Sequence, residues 1–112
     1  MKHSVFLTDS AAADIVEIWK YIALNDSISI ADKIKNRLEE AIQKLSVLPD
    51  KGHFPPELER VGIFDYREIH YKPYRIIYSL QKKIIYVIAV IDGRRYLQDI
   101  LYQRQFRFKR TG

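Results

Sequence analysis

The segment "KIIYVIAVI", residues 83–91, constrains the fold more than any other stretch of the chain. Its apolar run, 84–91, is far too short to cross a membrane and is dominated by β-branched residues, so it reads as a strand. It does not alternate between apolar and polar positions. A strand of that kind needs partners on its edges and cover on its faces, which makes it the centre of a sheet. The rest of the chain must supply those partners and that cover.

The flanking segments fit the requirement. "FDYREIHY" (64–71) and "YRIIYSL" (74–80) have strand composition, with turns at Lys72–Pro73 and Gln81–Lys82, so the three strands form an antiparallel meander. "KHSVFL" (2–7) is a fourth strand, with His3, Val5 and Leu7 on one face. Between them the period changes. From Ala11, the positions Ile15, Trp19, Ile22 and Ala23 make a helical stripe, capped by Thr8, Asp9 or Ser10. A second helix is expected over about 29–48, with Ser29 and Asp32 spaced as a capping box and Pro49 ending it. The short break between the two predicts an antiparallel hairpin.

Residues 49–63 carry three of the four prolines and two of the four glycines, which marks a surface connector. Neither flank could build a core alone, so a single domain over 1–112 is expected. Its class is α+β: an N-terminal strand, an antiparallel helix hairpin and a three-stranded antiparallel meander, forming one sheet packed against the helices on one face. Beyond the last strand, Tyr96, Leu97, Ile100 and Leu101 suit a short helix. From about residue 103 a basic aromatic tail follows, with Phe106 and Phe108 alternating with Arg107 and Lys109, its conformation left open.

Charge divides unevenly. Residues 1–58 hold 7 Lys+Arg against 9 Asp+Glu, and residues 59–112 hold 12 against 5, so the whole excess of +5 sits in the second half. That asymmetry points to an acidic partner, either nucleic acid or an acidic protein segment. The chain has no cysteine, which removes disulfides and thiol nucleophiles and fits a reducing compartment. "MKHSVFLTDSAAADI" has no signal-peptide h-region, so a cytoplasmic location away from membranes is expected.

Most familiar chemistries find no support. His3, His53 and His70 lie far apart in sequence without zinc-ligand spacing, and read as surface or structural residues; no metal and no cofactor is expected. The four glycines are scattered, so there is no phosphate loop. Glu57 and Glu59 carry no mark of an acid–base couple, and no catalytic residue is assigned. The arginines are more suggestive. Arg67, Arg75, Arg94 and Arg95 sit on or beside adjacent strands about 5 Å apart, where guanidinium groups from one face can gather on one anion. Tyr96 and Tyr102 are candidates for the same surface, by stacking. The competing reading gives these arginines intramolecular partners such as Glu68 or Asp92. A plain nucleic-acid-binding module is a further alternative, resting on "QRQFRFKRTG" and the many tyrosines.

The run "YREIHYKPYRIIYSLQKKIIYVIAVIDGRR", residues 66–95, resembles the signature region of the RelE/ParE superfamily of toxins from bacterial type II toxin–antitoxin systems. The order strand–helix–helix–strand–strand–strand matches as well, so the likeness spans almost the whole chain. One branch cuts messenger RNA at the ribosome without metal. By position, the resemblance carries its basic residues onto Arg67, Arg75 and Arg95. A second strand cation falls at Ile69, and a late tyrosine near Leu101, with Tyr102 one place off. The ParE branch is closer in its long helix pair, in "ELERVGIFDYRE" and in the paired arginines after the last strand. That resemblance implies a toxin acting on DNA gyrase, blocking replication and neutralised by a cognate antitoxin. The ribosome-dependent, metal-independent mRNA endoribonuclease is the alternative, with ribosome and mRNA as its partners.

Overall fold

The computed structural model describes residues 2–111, and the side chains of residues 2–104. Its elements in chain order are β1 (Ser4–Leu7), α1 (Asp9–Asn25), α2 (Ile28–Lys44), the single turn α3 (Pro56–Glu59), β2 (Arg67–Tyr71), β3 (Tyr74–Gln81), β4 (Ile84–Asp92) and α4 (Leu97–Thr111). The strands form one sheet in the order β1-β4-β3-β2. β1 runs parallel to β4, while β2, β3 and β4 are the antiparallel meander. The apolar run therefore lies in the interior of the sheet, hydrogen-bonded on both edges.

Local chemistry sets the helix starts. Thr8 is extended, and its Oγ1 accepts from the Ala11 amide at 3.1 Å, which fixes the cap of α1. Ser27 does the same for α2, accepting from the Ile30 amide at 3.0 Å. The capping box expected at Ser29 and Asp32 does not form: Ile28 is already helical, and Asp32 instead accepts the Trp19 indole N–H at 2.8 Å, tying the hairpin together.

Two apolar clusters sit on opposite faces of the sheet. Ala11, Ile15, Leu38 and Ile42 from the hairpin pack on Ile69, Ile76, Tyr78, Ile85, Val87 and Val90. On the other face Leu97, Ile100 and Leu101 of α4, with Leu58 of α3, pack on Ile77, Ala89 and Ile91. The expectation of helices on one face is thus corrected: β4 is apolar throughout because α4 covers its second face. A bulge between Ile77 and Tyr78 pairs them with Ala89 and Val87, leaving Ile88 as the extra residue. Without that step the alternation of β4 would place half its apolar side chains on the wrong side. The tail placed from about residue 103 continues α4 as backbone; the side chains of Phe106, Arg107, Phe108 and Lys109 lie outside the described residues. Among the described residues no helix is long and apolar enough to cross a membrane.

β1 is short, so among the described residues the edge of β4 beyond Val87 has no strand beside it. Side chains fill the gap. Thr8 donates to the Val87 carbonyl through its amide at 3.1 Å and its hydroxyl at 3.2 Å. Asp14 accepts from the Val90 amide at 2.9 Å, and Arg104 donates to the Ile88 carbonyl at 2.7 Å. Arg104 also forks onto both Asp14 oxygens at 2.8 and 2.9 Å, pinning α4 to α1 around the sheet edge. Neither residue was singled out from the sequence.

Candidate functional site

The pleat separates the strand arginines. The two-residue turn at Lys72–Pro73 sets Tyr71 opposite Tyr74, hence His70 opposite Arg75 and Arg67 opposite Tyr78. Arg67 lies on the side of Tyr78, facing the helix hairpin, while Arg75 shares the opposite side with His70 and Glu68. The single electropositive site expected from Arg67, Arg75, Arg94 and Arg95 is therefore not assembled.

Each arginine has its own surroundings. Arg67 donates to the Gly52 carbonyl at 2.9 Å and lies over the Phe54 ring, 4.6 Å from its centre. It helps to lock the connector against the sheet. Tyr78 does the same from its buried hydroxyl, which accepts from the Gly52 amide at 3.0 Å and donates to the Pro49 carbonyl at 2.7 Å. A Cβ at Gly52 would lie 2.6 Å from the Glu68 carbonyl oxygen, so only glycine permits this approach.

Arg75 is enclosed by carboxylates. Its Nη1 and Nη2 donate to the two Glu57 oxygens at 2.8 and 2.9 Å. Its Nε and Nη2 donate to the two Glu68 oxygens at 2.6 and 3.1 Å. Glu68 is only 1% exposed, a burial that a carboxylate tolerates when its charge is matched and its lone pairs are filled. The Arg75 hydrogen bonds hold the Glu57 carboxyl below its ordinary range, and the same bonds raise Arg75 above its own. Two carboxylates around one guanidinium leave a net charge of about −1. This is the wrong sign for an anion site.

Two histidines complete the cluster. His70 Nε2 is 2.9 Å from Glu68 Oε1, and His53 Nε2 is 3.5 Å from Glu68 Oε2. Their rings meet edge to face with centres 5.2 Å apart. His53 arrives from the connector because its backbone exchanges hydrogen bonds with Glu68, at 3.0 Å and 2.7 Å. His53, Glu57, Glu68 and His70 were missed as a group. The signal was partly available, since the tight turn places Glu68, His70 and Arg75 on one face; the approach of His53 was not encoded by any spacing.

The exit of β4 is a different environment. Arg94 is 92% exposed at its side chain and chelates Asp92, its Nε 3.1 Å from Oδ1 and its Nη2 3.3 Å from Oδ2. Those hydrogen bonds lower the Asp92 carboxyl below its usual range. Arg95 is exposed and has no ion pair among the described residues. Tyr96 and Tyr102 are 77% and 71% exposed, on or beside the start of α4. Gly93 is set by crowding, not by a left-handed turn: its amide donates to the Pro73 carbonyl at 2.9 Å, and a Cβ would lie 3.2 Å from that oxygen. Arg94 and Arg95 also line an open cleft with Asp14, Glu17, Tyr21 and Tyr74.

Comparison with known proteins supplies context for this geometry. The family described as the ParE toxin of type II toxin-antitoxin system, parDE, matches residues 5–97. Toxin ParE3 of Caulobacter vibrioides is 26% identical over 90 residues, covering 80% of this chain and 86% of that protein. The fold is similar to a solved structure titled "Chromosomal ParDE TA system from P. aeruginosa", with a TM-score of 0.69 at 18% identity. That alignment covers 81% of this chain and 96% of the other.

Proposed function

This chain belongs to the ParE toxin family of type II toxin–antitoxin systems, and from that premise we propose that it acts on DNA gyrase in the cytoplasm, blocks replication and is neutralised by a cognate antitoxin. The observation that carries the reading is the family match over residues 5–97, reinforced by the state of the strand cations. A metal-independent ribonuclease needs cations free to meet a phosphate as charge develops on it. Arg75 has its Nε and both Nη nitrogens committed to Glu57 and Glu68, and the position of the second strand cation is Ile69, 8% exposed in the core. The ribosomal alternative loses its support at both points.

The exposed groups at the exit of β4 are the ones left for a macromolecular partner. Arg94, Arg95 and Tyr96 stand exposed at the strand-to-helix junction and Tyr102 is exposed on α4, so a partner can reach all four. They lie in the half of the chain that carries the basic excess, which steers an acidic surface, a DNA-bound enzyme or an acidic antitoxin segment, toward this end.

The test is a supercoiling assay with purified gyrase, run beside message profiling in cells expressing the chain. The expected result is loss of supercoiling with accumulation of cleaved DNA complexes, reversed by the cognate antitoxin. Intact gyrase activity together with cutting of ribosome-bound message would overturn the proposal.

A further inference from the structure

We infer that His53, Glu68 and His70 form a binding site for a divalent transition-metal ion of the zinc class, which staples the connector to strand β2. The three side chains offer ligand atoms that all lie within 4.8 Å of one another. The histidine nitrogens stand 2.9 and 3.5 Å from the Glu68 oxygens. Zinc binds histidine nitrogen and carboxylate oxygen at about 2.0–2.2 Å, so neighbouring ligand atoms on a tetrahedral ion are about 3.3–3.5 Å apart. Closing the set around an ion asks only for small rotations of two side chains that are 58% and 45% exposed.

The innermost carboxylates favour a cation. Glu57 and Glu68 outweigh Arg75, so the cluster carries a net charge of about −1 before any ion enters. Arg75 donates to both Glu68 oxygens and to Glu57, which holds the Glu68 carboxylate in one orientation toward the histidines. Each carboxylate oxygen accepts more than one partner, so the guanidinium fork leaves lone pairs directed at the histidines. Lys51, Arg60 and Lys72 line the two openings onto the cluster and oppose the ion, so the ligand set and not the net charge of the surroundings has to carry binding. Two imidazoles and one carboxylate select zinc, nickel, cobalt or copper over magnesium or calcium, which prefer sets made of oxygen.

The consequence is mechanical. His53 already pairs its backbone with Glu68, and the connector is held at Gly52 by Tyr78 and Arg67. An ion on the side chains adds a further attachment to the same short stretch. It reaches the proposed partner surface only through β3 and Arg75, so the inference stands independently of the gyrase reading.

The experiment uses the untagged chain, stripped with chelator and titrated with zinc chloride by calorimetry, with the melting temperature followed in parallel. One equivalent is expected to bind and to raise the melting temperature, with magnesium in excess failing to compete. His53→Ala and His70→Ala should each weaken binding at least about tenfold. Each variant also gives up a contact with the buried Glu68, so binding is measured well below each metal-free melting temperature, and His3→Ala should bind as wild type does. Amide exchange of residues 51–54 should slow on adding zinc in the wild type and not in the variants. No saturable binding, or binding unchanged in both His53→Ala and His70→Ala, would overturn the inference.

Discussion

The same pairing of arginine with carboxylate occurs at two ends of this sheet and does different work at each. At Arg75 the guanidinium is 12% exposed between Glu57 and the buried Glu68. At Arg94 it is 92% exposed and holds only its near neighbour Asp92. Inside, removing one charge leaves another unpaired in a poorly solvated place, so the pair is a structural lock. Outside, water compensates almost completely and the charge is available to a partner. Burial, rather than residue type, separates scaffold from binding surface here.

The largest break in that contrast should come from Arg75→Ala. It leaves the buried Glu68 carboxylate without its guanidinium and should cost about 3–5 kcal/mol of stability, measured by urea unfolding. A loss below about 1 kcal/mol would place Arg75 with the surface pairs. Gly52→Ala comes next. It forces a Cβ against the Glu68 carbonyl and the Tyr78 hydroxyl, an overpacking cost of about 1–3 kcal/mol by the same assay.

The pH response sharpens the comparison further. Glu57 has its folded-state pKa lowered by Arg75, so its contribution is full above the unfolded value of about 4.3 and drains as pH falls through the folded value. Wild type should therefore lose more stability between pH 5 and about pH 3 than Glu57→Gln does over the same window. Asp92 is lowered as well, but its partner Arg94 is solvent-screened, so Asp92→Asn should leave the slope nearly unchanged. The smallest stability effect belongs to Arg94→Ala with Arg95→Ala. The double variant should melt with wild type yet bind gyrase or antitoxin more weakly in a pull-down titration. A collapsed melt would make these arginines structural.

Much of the scaffold could be read from residue order. The helical period before Pro49, the strand period after the connector, Thr8 among the caps of α1 and the unbroken apolar run 84–91 are local signals of local structure, whereas the cap of α2 is Ser27 and not the expected Ser29. The two-residue turn even carries the register that places Glu68 beside Arg75. The arginines misled because composition records charge and not partners: Arg75 and Arg67 are both basic strand residues, yet they end on opposite faces of the sheet. The histidine pair was hidden for the reverse reason, since a spacing of seventeen residues conceals a 5.2 Å approach.

The sequence by itself determined the order and type of the four strands and the helix hairpin and the sign of the charge in each half, because periodicity and net charge are properties of the chain. Only the tertiary structure decided that α4 covers the second face, that Asp14 and Arg104 close the edge of β4, and that His53 meets His70 across Glu68. Those outcomes depend on the bulge at Ile88 and on the connector docking at Gly52. Each is a long-range packing event whose energy comes from surfaces that meet only once the sheet has formed.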